Sequence, residues 1–209
     1  MFLAVIGAGA FFYINSNSMM LPGEWHRSID LTDDVRRNME DYLRGVLTED
    51  EILECDFPAS VEVDSKLVIS KEGKMTERID ETSYYDAMTV TKEALKTAVV
   101  KTVEDKLKKS YIETDMTVEE LVKEATGMEL TDYLEKYGPK MMPAMDELSD
   151  LYGMDAEYSA DRSSLNITDK TDVSVCDYAL SHGMLVIDCK DGARVYHKDQ
   201  KTAAEEGIQ

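Results

Sequence analysis

Hydrophobic positions along this chain fall into three regimes. There is one solid apolar run, there are stretches that alternate every second residue, and there is a middle section that repeats every three to four. The solid run is Met1 to Ile14. After Gly23-Glu24-Trp25, the residues Arg27, Ile29 and Leu31 alternate with polar ones, which predicts a half-buried strand. Thr32 stands where a helix cap would, with Asp33 and Asp34 in the first turn and Val35, Met39, Tyr42 and Val46 as the apolar face. Thr48-Glu49-Asp50-Glu51 reads as a capping box opening a second short helix, which Pro58 closes. Val61, Val63, Leu67 and Ile69 predict a strand whose alternation breaks near Asp64-Ser65. Lys71-Glu72-Gly73 is a turn, and Met75 and Ile79 lie on the returning strand.

From Ser83 to about Ile112 the period becomes helical. Leu95, Val99, Val103, Leu107 and Tyr111 recur every four residues, while Lys96, Lys101, Glu104, Asp105 and Lys108 take other faces. Thr117 to Glu120 is a further capping box, and Gly127 a helix stop. Thr131 caps a short helix ending at Gly138-Pro139, and Met141, Met145, Leu148 and Tyr152 line a last one ending at Gly153. The alternation then returns. Tyr158, Leu165 and Ile167, and again Tyr178, Leu185 and Ile187, form the same pattern twenty residues apart, which predicts two copies of one hairpin. With His182-Gly183 as the central residues of a tight turn, Leu180 faces Leu185, Tyr178 faces Ile187 and Cys176 faces Cys189, all on one face. Cys176 and Cys189 then fall in a non-hydrogen-bonded pair, where Cα atoms come within about 4.5 Å, inside disulfide reach. An oxidising compartment permits the bond; otherwise they pack as two buried thiols. Asp191-Gly192 marks one more hairpin turn, leading to Val195 and Tyr196.

The apolar run changes where this chain is expected to work. Fourteen helical residues rise roughly 21 Å, short of the roughly 30 Å hydrocarbon core and nearer a signal sequence. No lysine or arginine precedes the run. Either a basic stretch lies upstream of this start, or the segment is a short signal. Both point to an extracytoplasmic protein, membrane-anchored or secreted, touching the membrane through this segment alone. Residues 1–20 are therefore read as leader or anchor with a linker, 21–198 as one α+β domain with a helical insertion at about 83–153, and 199–209 as a polar tail expected to be disordered.

Charge narrows the partners. With 43 acidic against 23 basic residues, the formal charge of −20 repels phosphate backbones, so nucleic acid is an unfavourable partner. Candidate chemistry is sparse. Cys55, Cys176 and Cys189 form neither a disulfide framework nor a zinc set. Asp30, Asp33 and Asp34 read as capping, and Asp169 and Asp172 lack the spacing of a calcium loop. Ser181-His182 is a turn pair with no aspartate nominated to orient the ring. No phosphate-binding glycine loop appears: Gly7-Ala8-Gly9 sits in the leader and lacks the rest of a dinucleotide fingerprint. The expectation is no catalytic residue, no metal and no cofactor.

Two features together resemble the small lipocalin-like domains of exported, membrane-tethered bacterial proteins. One is Gly23-x-Trp25 on the first strand behind a leader. The other is the late hairpin Tyr178-Ala179-Leu180-Ser181-His182-Gly183-Met184-Leu185-Val186-Ile187. The resemblance implies an α+β fold built on an antiparallel β-meander or partial lipocalin-like barrel. A plain lipocalin has no block like Ser83 to Gly153. The leading expectation is a non-catalytic, surface-tethered domain that binds an unknown small ligand in a pocket lined by Trp25, Tyr178 and Tyr196. The alternative is a structural or assembly role, the helical block meeting another envelope protein; a hydrolytic enzyme is third. A filled sheet interior with an exposed apolar helix stripe would favour the protein partner.

Overall fold

The computed structural model describes residues 20–198 except 46, 111–113, 162 and 171. The leader and tail, and the proposed face positions Val46 and Tyr111, lie outside the described residues. Eight strands form a closed antiparallel barrel in chain order: β1 (Gly23–Asp30), β2 (Glu62–Ile69), β3 (Lys74–Ile79), β4 (Met154–Ala160), β5 (Ser164–Asp169), β6 (Asp172–Ser181), β7 (Met184–Cys189) and β8 (Gly192–His197). Closure pairs β1 with β8 at His26 and His197, so among the described residues no strand is left as an unpaired edge. Helices α1 (Thr32–Leu43) and α2 (Glu49–Leu53) follow β1. Helices α3 (Glu81–Ser110), α4 (Val118–Thr126), α5 (Leu130–Tyr137) and α6 (Met145–Tyr152) are inserted between β3 and β4. The chain divides into two compact units: residues 20–28, 64–79 and 149–198 carry most of the barrel, and residues 29–63 and 80–148 most of the helices.

In the barrel unit, the twofold alternation decides what is inside. Trp25, Leu67, Met75, Leu165, Leu185 and Tyr196 are buried in one core, joined by Leu21, whose carbonyl accepts a hydrogen bond from the Trp25 indole at 2.9 Å. The two late hairpins repeat in register as well as in sequence: Tyr158 pairs with Ile167 and Ala160 with Leu165, as Tyr178 pairs with Ile187 and Leu180 with Leu185. Both central residues of the turn in the second copy use left-handed backbone, with φ of 46° at His182 and 78° at Gly183, which matches the right-handed twist of the flanking strands. Two pairs beyond Tyr178, Cys176 and Cys189 are joined by a disulfide, with Cα atoms 4.4 Å apart. Closing a loop of this size stabilises a fold by about 2–4 kcal/mol. Cys55 is a free thiol.

In the helical unit, the capping boxes at Thr48 and Thr117 are both formed, and Gly127 ends α4 with φ of 72°. Three expectations are corrected. The N-cap of α1 is Leu31; Thr32 instead receives a hydrogen bond from the Val61 amide, which ties the helix start to the residue before β2. The N-cap of α5 is Glu129 rather than Thr131. The buried face of α3 is Tyr84, Ala87, Met88, Thr91, Leu95 and Ala98, whereas Val99, Val103 and Leu107 are only half-buried. A strict spacing of four advances about 40° per step around a helix of 3.6 residues per turn, so a row begun at Leu95 drifts off the packed side. Among the described residues, no helix is long and apolar enough to cross a membrane.

Candidate ligand site

At one end of the barrel the inward positions turn polar. The alternation that buries Val63, Leu67 and Ile69 on β2 also buries Ser65, and that of Met75 and Ile79 on β3 buries Glu77, with no solvent exposure. On β1 the inward neighbour of Trp25 and Ile29 is Arg27. These side chains meet. Arg27 Nε donates to Glu77 Oε1 at 2.7 Å, Ser65 Oγ donates to the same oxygen at 2.6 Å, and the Tyr196 hydroxyl donates to Oε2 at 3.0 Å. A buried carboxylate is tolerable only when paired and fully hydrogen-bonded, and Glu77 is both. The Arg27 guanidinium also lies 5.5 Å from the Tyr152 ring centre and 5.4 Å from that of Tyr196, so aromatic faces share in stabilising its charge.

Beside this cluster a cavity of about 650 Å³ opens at the end where β4, β6 and β8 begin and β5 and β7 finish. Its walls mix apolar side chains, Met154, Ile167 and Ile187, with Arg194, Tyr196, Cys189 and Asp191. Arg194 is inward on β8 and one quarter exposed. Its Nη2 donates to Asp191 Oδ2 at 2.8 Å, while its Nη1 lies 4.0 Å from Glu77 Oε2. The hydrogen bond from Arg194 holds the Asp191 carboxyl below its usual range. Burial, then the Glu77 carboxylate, push the Tyr196 phenol well above its usual range, so it is a neutral hydrogen-bond donor at any ordinary pH. Gly153 belongs to the same wall, and any side chain there would collide with the backbone carbonyl of Ser149.

Of the three pocket residues nominated from sequence, Tyr196 reaches this cavity. Trp25 is fully buried in the core, and Lys198 Nζ lies 5.2 Å from its ring centre. Tyr178 is also core; its hydroxyl donates to the Asp161 carbonyl at 2.6 Å. Trp25 stands near the start of β1 and Tyr178 near the end of β6, which in an antiparallel barrel is the opposite end from the cavity. Cys189 lines the cavity and is joined by the disulfide to Cys176, which is buried in the core. The pocket expected from sequence does not include Arg27, Ser65, Glu77 or Arg194. Arg27 and Glu77 did carry a signal, since each sits in phase with apolar neighbours on an alternating strand, Ile29 for the one and Met75 and Ile79 for the other; on β8, Val195 and Tyr196 make both phases apolar, so Arg194 carried none. Ser65 read as a break in the strand because period alone does not separate an interruption from a polar residue on the buried face.

These features define the class of protein: an eight-stranded antiparallel barrel with an end cavity and a buried Arg-Glu-Tyr cluster. No family model, no curated protein and no solved structure matches the chain. Among the described residues, no group of three or more His, Cys, Asp or Glu is placed to hold a metal ion. Chemically, the arrangement offers one guanidinium fork and one phenolic donor at the edge of an apolar space.

Proposed function

We propose that this chain is a non-catalytic binding domain of lipocalin-like type, held outside the cytoplasm by its N-terminal segment, that takes a small ligand through the barrel mouth. The observation that carries the reading is the cavity of about 650 Å³, inside the range usual for small-molecule sites and lined by apolar side chains with a few convergent polar groups. A binder is favoured over a hydrolase because the titratable groups at the wall are engaged with one another, and a phenol raised as Tyr196 is serves poorly as a base. An assembly role through the helices would call for a continuous apolar stripe. The exposed Tyr85 and Val90 on α3 are five residues apart, about 140° around the helix, and so belong to different faces.

Native mass spectrometry of the full chain purified from its host tests the reading. The expected result is a bound small molecule released on unfolding and lost when Ser174, which lines the cavity on β6, is enlarged by Ser174→Trp. A ligand that stays bound to that variant would place binding elsewhere and sink the proposal.

A further inference from the structure

We propose that the cavity selects a ligand with a single carboxylate on an apolar body, that Arg194 receives the carboxylate, and that Asp191 is the internal counter-ion the ligand displaces. The inference rests on the reading of the barrel as a small-ligand binder and names the ligand's chemistry. It begins from the charge balance at the barrel end. Arg27 and Arg194 share one buried carboxylate, Glu77, whose oxygens already accept from Arg27, Ser65 and Tyr196. Arg194 stands 4.0 Å from Glu77, beyond hydrogen-bond length, so Glu77 attracts its charge without occupying its fork. The remaining positive charge is answered by Asp191, whose side chain is 62% exposed.

An exposed counter-ion on a half-buried arginine is replaceable. Asp191 sits three residues before Arg194, across Gly192, whose φ is 128° at the start of β8, so its side chain can leave the guanidinium while the strand pairing stays intact. The planar fork of Arg194 suits a carboxylate better than a point charge. Ile167, Ile187 and Met154 supply the apolar surface that an alkyl or ring body would cover. The other charged groups lining the cavity are Asp169 and Lys190, both at the exposed rim, so the inner wall presents one sign of charge. A cationic ligand would have to bring its charge toward that guanidinium. An uncharged one would leave the Asp191 pair in place.

Binding of octanoate, 1-octanol and octylammonium to the full chain, followed by calorimetry, tests this. Octanoate is expected to bind at least tenfold more tightly than either of the others. Asp191→Asn, at an exposed turn, should tighten octanoate three- to tenfold with no change for octanol, because the competitor has lost its charge. Arg194→Met should bring octanoate down to the level of octanol. Equal affinity for octanoate and octanol in the parent chain overturns the carboxylate site while leaving a ligand-binding barrel standing. Binding of none of the three overturns both. Weaker octanoate binding in Asp191→Asn overturns the role of Asp191 as the displaced group.

Discussion

A fully buried carboxylate survives in the barrel interior because three donors converge on it, and the cost of removing it falls on its partner. Glu77→Gln would keep the shape and leave Arg27 without a counter-charge, so we expect a loss on the order of 3–5 kcal/mol in urea unfolding. The paired replacement Arg27→Met with Glu77→Leu should recover most of that loss. A Glu77→Gln variant within about 0.5 kcal/mol of the parent would show that the charge is not held as described. A second carboxyl carries a pH dependence. The hydrogen bond from Lys109, then the Thr48 cap, lower Glu51 from 4.5 to about 2. A depressed carboxyl stabilises the folded state above its unfolded value, and that contribution is lost as pH falls. The link between α2 and α3 should therefore be intact above about pH 4.5 and weaken toward pH 2. Titration of the Glu51 side-chain carbon by NMR should give a midpoint near 2, and Lys109→Met should move it up; a midpoint at 4.5 in the parent would remove the contact.

Elements were legible in proportion to how local their causes are. The boxes at Thr48 and Thr117, the left-handed stop at Gly127 and the His182-Gly183 turn depend on residues within four positions of one another, and all four form. The repeated hairpin was legible for a related reason: a two-residue turn fixes every pair beyond it, down to Cys176 and Cys189. The packed side of α3 was not, because half-apolar helices offer several overlapping rows and only the neighbours that cover one of them decide. Leu95 is fully buried, so Leu95→Ala should cost about 2–5 kcal/mol in chemical unfolding. Val99→Ala and Leu107→Ala should each cost less than about 1.5 kcal/mol. Comparable losses at all three positions would return the face to the row of fours.

At the scale of the whole molecule, the apolar run Met1 to Ile14 is what the proposed export rests on. A reporter carrying residues 1–20 should be found in or beyond the membrane by fractionation; a soluble cytoplasmic reporter would count against the export reading. The sequence by itself determined the alternating strands at both ends of the chain, the helical block between them and the pairing of the last hairpins, because each follows from period and turn chemistry over short spans. It also placed Arg27 in phase with Ile29 and Glu77 in phase with Met75 and Ile79, whereas on β8 the adjacent Val195 and Tyr196 leave the phase of Arg194 open. Only the tertiary structure decided that these residues meet. Arg27 and Glu77 are fifty residues apart, and Glu77 and Tyr196 are 119 apart. Their contact depends on closure of β1 onto β8 and on the return of the chain from α6 into β4 beside β3. The same closure put Trp25 and Tyr178 at one end of the barrel and the cavity at the other, because strand order and direction, which no local pattern encodes, set which ends of distant strands share a layer.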